Sequence, residues 1–305
     1  MSDFFSGGWS VYISALTVVG LIACLALLII ASRRRVMADD NTTGHVWDED
    51  LKELNNPLPR WWMWLFVITV VFAGAYLALY PGLGSHPGSL KWSSTSQLQT
   101  ETDRAVAAMA PVYARFSAMT AGDLAREPQA MGIGERLFVN NCAACHGSDG
   151  RGAKGFPNLT DGDWLYGNTH DVVKETIAKG RNGVMPAMAA ALGSAEDVRN
   201  VAHYVLSLSG SAHDSVAASL GKPKFGGCAG CHGADGKGNQ ALGAPNLTDK
   251  VWLHGWGEQA IVNIITNGKN NAMPAQAARL TPEQIHVLAA YVLNLSDPAT
   301  AVAAR

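Results

Sequence analysis

Two long apolar blocks stand near the start of the chain, and the pattern is mixed after them. Val11 to Ala31 runs for 21 residues without a charge, and Trp61 to Leu79 is similarly apolar. At about 1.5 Å of rise per residue, each block is long enough as a helix to cross a hydrocarbon core of about 30 Å. Trp61, Trp62 and Trp64 flank one end of the second block, and Tyr76 and Tyr80 the other. Rings placed in this way anchor a helix at both faces of a bilayer. The pattern predicts a membrane anchor over 1–83 with transmembrane helices at about 11–31 and 61–80.

Leu21-Ile22-Ala23-Cys24 resembles a lipoprotein cleavage box, but a signal peptide carries its positive charge ahead of the apolar stretch. Here residues 1–10 hold Asp3 and no Lys or Arg, while Arg33, Arg34 and Arg35 follow the stretch. The first block is therefore expected to stay as an anchor, with Cys24 a packed, inert thiol. Segment 32–60 also carries Lys52 and Arg60. By the positive-inside rule this loop is cytoplasmic, and the N-terminus and everything after the second span lie on the outer, periplasmic side of a bacterial inner membrane.

Beyond residue 83 the apolar positions follow helical spacing, with no convincing strand alternation, so the expected fold is mainly α. Segment 84–129 is a Ser/Thr/Gln/Ala-rich connector. A helix is expected over Thr100 to Met119, with Ala105, Val106, Met109, Val112 and Phe116 on one face. The remainder repeats itself. NNCAACHGSDGRG, FPNLTDGDWL, GVMPAM and VAHYVLSLS are answered by GGCAGCHGADGKG, APNLTDKVWL, NAMPAQ and LAAYVLNLS. The regular offset predicts two similar domains, 130–210 and 216–297.

Composition changes this picture little. The net charge of -2, with 18 basic and 18 acidic residues over 83–305, gives no reason to expect a nucleic-acid partner. The cysteines change it decisively. Four of the five lie in two C-x-x-C-H strings, Cys142/Cys145/His146 and Cys228/Cys231/His232. Residues three apart share a helical face, so both sulfurs of a pair can reach the two vinyl groups of one porphyrin, and the adjacent imidazole faces the iron. Two copies, each with a downstream Met-Pro, argue against a zinc half-site or a dithiol pair. The expected cofactors are two covalently attached haem c groups.

Met185 and Met273 are the expected second axial ligands, since His/Met ligation raises the potential and leaves no open position. Met188 is the rival to Met185, but its counterpart is Gln276. Metal ligation is thus assigned to His146, Met185, His232 and Met273, and no catalytic residue is expected. Trp164 and Trp252 match each other and either pack on a haem edge or belong to the core. His170, His203, His213, His254 and His286 have no counterparts in the other repeat and read as surface or packing residues. The sequon Asn158-Leu159-Thr160 falls in the haem-wrapping loop and is discarded.

Gly44 to Trp62, reading GHVWDEDLKELNNPLPRWW, resembles the signature of CcoP/FixP, the dihaem subunit III of cbb3-type cytochrome c oxidase. Tyr76 to Gly84, reading YLALYPGLG, resembles the same family, as does the order of parts. The resemblance implies two tandem class I cytochrome c domains behind the anchor. It implies loop prolines, here Pro157 and Pro245, whose carbonyls receive the proximal imidazole N–H. It also implies an electron-transfer subunit that takes electrons from soluble cytochrome c. These would pass through a monohaem cytochrome c subunit to the haem–copper catalytic subunit. The alternative is the dihaem subunit of a membrane-bound dehydrogenase. Near-identical repeats can exchange their loops, and the family resemblance allows a crossed arrangement, so which Met serves which iron stays open.

Overall fold

The computed structural model describes residues 7–33, 40–56 and 58–296. Asp3, Arg34, Arg35 and Pro57, used in the readings above, lie outside them. The chain divides into two compact units, up to Ala108 and from Met109 onward.

The first unit holds α1 (Gly7–Ser32) and α2 (Arg60–Leu79), slightly longer than or matching the predicted spans. At 26 and 20 residues they would reach about 39 and 30 Å. They run antiparallel, because Ser85, beyond the end of α2, donates its N–H to the Ser10 hydroxyl near the start of α1 at 2.7 Å. Tyr76 and Tyr80 stack at 4.9 Å, and Trp92 meets Tyr80 edge-on at 5.7 Å, forming one aromatic collar. Cys24 is exposed on α1 and not packed as expected.

Between the two spans, the segment read as a polar loop forms an antiparallel hairpin, β1 (Thr42–Trp47) with β2 (Leu51–Leu54). The alternation there is short and interrupted by an acidic turn, which hid it. Asp48 and Glu49 take positive φ in that turn, at 46° and 72°.

The second unit begins within α3 (Ser94–Ser117), which starts earlier than expected, and continues through α4 (Ala121–Arg126), α5 (Pro128–Asn141), α6 (Ala143–His146) and α7 (His170–Lys179). Then follow β3 (Arg181–Met185), α8 (Ala189–Leu192), α9 (Ala195–Leu208), α10 (Ser215–Gly221), a 3-10 turn (Lys222–Phe225) and α11 (Gly226–His232). The chain closes with α12 (Glu258–Asn267), β4 (Lys269–Met273) and α13 (Pro282–Leu295). On α3, Met109, Val112 and Tyr113 are half-buried and Phe116 is fully buried. They pack with Leu124, Ala130, Ile133 and α13, while Val106 stays exposed.

The cores do not follow the sequence repeats. One contains Phe138, Val173 and Ile177 from the first copy, packed with Ile285, Leu288, Ala289 and Val292 of α13 from the second. The other contains Phe225, Ile261 and Ile265 from the second copy, packed with Val198, Val201, Val205 and Leu206 of α9 from the first. The same exchange recurs in the aromatic pairs. Tyr291 meets Phe138 at 5.7 Å, and Tyr204 meets Phe225 at 5.2 Å. The boundary expected at 210–216 separates the repeats, but it falls between α9 and α10, which pack against each other.

Small residues permit both crossings. A Cβ at Gly134 would stand 2.5 Å from the Tyr291 Cβ, and one at Gly221 would fall on the main-chain carbonyl of Asn200. The chain changes sides at β3 and β4, which pair antiparallel from Arg181 opposite Met273 to Met185 opposite Lys269. These segments were expected to be loops between helices. Their Gly, Asn and Met content gives little strand propensity, and each becomes a strand only by pairing with its copy.

A histidine contact ties α13 into its core. His170 donates from Nε2 to the His286 carbonyl at 2.9 Å, the two rings meeting edge-on at 4.7 Å, and His286 reaches the Met119 carbonyl at 3.2 Å. Burial, the largest influence, lowers the pKa of His170 below its ordinary value. The native state therefore binds fewer protons than the unfolded one near the ordinary His pKa of about 6.5, and stability falls as pH drops through that value. Melting of the full chain in detergent should shift downward between pH 7 and 5. His170→Gln, which keeps a donor but does not titrate, should flatten the shift; an unchanged pH profile would show that His170 is not the responsible group.

Candidate haem sites

Both C-x-x-C-H strings lie on helical turns with matching hydrogen bonds. In the first, the Cys142 N–H donates to the Phe138 carbonyl at 2.7 Å and the His146 N–H to the Cys142 carbonyl at 3.0 Å. The second string lies wholly within α11. The loop after each string returns to it. Gly152 donates to the His146 carbonyl and Gly238 to the His232 carbonyl, each at 2.7 Å. Leu159 and Leu247 donate to the Gly150 and Gly236 carbonyls, again at 2.7 Å. Asn158 and Asn246 hold this loop from within by accepting from the N–H and hydroxyl of Thr160 and Thr248.

The imidazoles are oriented by this loop. His146 Nδ1 lies 3.0 Å from the Pro157 carbonyl, and His232 Nδ1 lies 3.1 Å from the Pro245 carbonyl. A carbonyl can only accept, so Nδ1 carries the proton and Nε2 keeps a lone pair free for a metal.

The inner sulfur of each pair sits where a thiolate is disfavoured. Cys142 and Cys228 are half-buried, whereas Cys145 and Cys231 are exposed. Burial, with a smaller contribution from Cys145, pushes the Cys142 thiol up to about 11, and burial likewise raises Cys228. A thiol so protonated is a poor zinc ligand or redox nucleophile.

A methionine from the other repeat packs against each of the two cores. Met273 packs in the core with Cys142, Leu159 and Trp164. Met185 and Met188 pack in the core with Cys228, Leu247 and Trp252. Reciprocal backbone bonds fix both loops. Gln276 donates to the Ile177 carbonyl at 3.0 Å, and Met188 donates to the Ile265 carbonyl at 2.8 Å. At Gly180 a Cβ would strike the Met273 carbonyl, and at Gly268 it would stand 2.5 Å from the Met185 carbonyl, so each loop needs a glycine in the facing copy.

These residues fit a haem c on several counts. Two sulfurs share a helical face beside an imidazole with one free nitrogen, and a thioether lies in the same core. Trp252 adds a buried indole N–H that has no partner among the described residues, a donor suited to a haem carboxylate. Trp164 and Trp252 are half-buried, each packed against one of the two cores. The two haem-wrapping loops also touch, since Gln240 donates to the Trp164 carbonyl at 3.0 Å and Gly155 to the Leu253 carbonyl at 2.8 Å.

Residues 39–87 match the family described as the N-terminal domain of cytochrome oxidase-cbb3, FixP. Residues 129–205 and 226–292 match that of cytochrome c oxidase, cbb3-type, subunit III. The chain is 66% identical over 305 residues to the cbb3-type cytochrome c oxidase subunit CcoP of Rubrivivax gelatinosus, covering 100% of both. It is 43% identical over 273 residues to the FixP subunit of Azorhizobium caulinodans, across 84% of this chain and 92% of that protein. Against FixP of Bradyrhizobium diazoefficiens the identity is 40%, across 83% and 94%.

Proposed function

The chain belongs to the CcoP/FixP family, the cytochrome c electron-transfer subunits of cbb3-type oxidases, and on that premise we propose how its sites are filled and used. Membership sets aside the alternative of a membrane-bound dehydrogenase subunit.

Two haem c groups are held per chain, one by Cys142, Cys145 and His146 and one by Cys228, Cys231 and His232. Met273 closes the first site and Met185 the second, so two class I domains stand in tandem with their closing segments exchanged. The observation that carries this reading is reciprocal: each methionine packs against the core that also holds the other repeat's cysteine. Haem c supplies a one-electron couple, and the chain orients the imidazole, supplies the thioether and excludes water.

An iron closed on both faces has no position for oxygen. The subunit therefore relays electrons and leaves oxygen reduction to a haem–copper partner. Electrons come from soluble cytochrome c and leave through a monohaem cytochrome c subunit. Lys52 and Arg60, among the five Lys and Arg residues of segment 32–60, support a cytoplasmic hairpin with the haem sites on the periplasmic face of the inner membrane.

Purification from native membranes in mild detergent tests the whole proposal. The chain should travel with a haem–copper subunit and a monohaem cytochrome, and a denatured gel should show covalent haem at its mass. Cys142→Ala with Cys145→Ala should halve the haem per chain. Haem content unchanged by that pair, or recovery with a dehydrogenase, would overturn it.

A further inference from the structure

The two pockets are assembled from matching parts, but they differ three residues beyond each thioether. Met188 follows Met185, and Gln276 follows Met273. The backbone settings are the same, each residue donating its N–H to an isoleucine carbonyl of the facing helix. Met188 packs in the core beside Cys228, its methyl carbon 3.7 Å from where a Cβ at Gly227 would stand.

Gln276 is only 8% exposed. Its amide nitrogen donates to the Pro274 carbonyl at 3.1 Å, which the oxygen end could not do. That bond settles the orientation of the amide. Oε1 is buried without a hydrogen-bond partner among the described residues. A buried acceptor in this state is costly unless something positive lies near it. Ferric haem carries one more positive charge than ferrous haem, and in a dry core the negative end of a dipole acts on it with little screening.

We infer that Gln276 holds the haem closed by Met273 at a lower reduction potential than the haem closed by Met185, where the matching position is the apolar Met188. This rests on the exchanged ligation proposed above. At equilibrium an electron shared between the two sites would then reside mainly at the Cys228 site. The asymmetry gives transfer within the chain a direction, from the His146 haem toward the His232 haem.

Potentiometric titration of the full chain in detergent tests this, with Met185→His marking one haem by its altered spectrum. Gln276→Leu and Gln276→Met should raise the potential of the unmarked haem by about tenfold in its reduction equilibrium, which is 59 mV for one electron. Met188→Gln, in the unmarked chain, should lower the other haem. Retention of the far-red methionine–iron band in the Gln276 variants shows that the loop keeps its ligand. Should Gln276→Leu be the one to lose it, Gln276→Met, the natural residue of the facing site, carries the test. An unmoved or lowered potential in the unmarked haem overturns the inference and leaves the exchanged ligation standing. A shift confined to the marked haem likewise overturns the inference, whereas the exchanged ligation stands or falls separately, on which methionine the remaining haem needs for its far-red band once Cys142 and Cys145 are replaced by Ala.

Discussion

Met273→His should remove the thioether from the haem attached at Cys142 and Cys145, although the two lie in different repeats of the sequence. Met273 packs in the same core as Cys142, and its loop is fixed to α7 through the Gln276–Ile177 bond. Histidine in place of methionine lowers the potential, and axial ligands together span about 0.8 V, so a drop on the order of 0.1–0.2 V is expected. A single-haem background makes the assignment unambiguous. With Cys142→Ala and Cys145→Ala in place, the remaining haem should keep its far-red methionine band when Met273 is replaced. It should lose the band when Met185 is replaced. The opposite pair of results would mean that each repeat supplies its own ligand.

The chemistry was legible in the sequence and the closure was not. Two C-x-x-C-H strings and the Pro157 and Pro245 loops are local patterns, and the structure places each on the helix or loop expected of it, while the Met-Pro pairs end strands. Choosing which copy's closing helix covers which site is a different problem. Tyr204 and Tyr291 are interchangeable partners for Phe138 and Phe225 as far as composition goes, so the repeat itself makes the two closures locally degenerate. One signal favoured exchange. The short connection 209–214 between α9 and α10 makes these helices antiparallel neighbours, as short helix–helix links do. Once they pair, α9 sits on the second copy and α13 is left for the first.

The hairpin β1–β2 and the ladder β3–β4 were missed for a related reason. Neither has sustained alternation. The first is set by an acidic turn with positive φ, and the second exists only where two copies of one motif meet. Pairing between distant segments leaves no local trace, whereas the apolar faces of α9 and α13 do. What the family resemblance of 44–62 added was the complex to which the chain belongs, which no haem motif could supply.

Gly221→Ala should be among the most damaging small substitutions in the chain, and its effect should fall on the Cys228 site. Gly221 ends α10 where that helix crosses α9, and an added Cβ would meet the Asn200 carbonyl and stand 2.7 Å from the Val201 nitrogen. Both are main-chain atoms in the middle of α9, so no side-chain rotation clears the space. Overpacking a tight contact costs typically ~1–3 kcal/mol, and here the only relief is to separate the two helices. Separation would expose Val201, Val205 and Phe225 and loosen the core that holds Met185. Phe138→Ala offers the comparison at the other site. It empties a side chain that is fully buried against Tyr291 and α13, at a cost of ~3–5 kcal/mol. Denaturant unfolding of the full chain, followed through the methionine band of each haem, separates the two. Gly221→Ala should lower the midpoint for the Cys228 haem and Phe138→Ala that for the Cys142 haem. Wild-type stability in Gly221→Ala would mean that α9 and α10 do not cross this closely, and the exchanged packing would lose its main steric support.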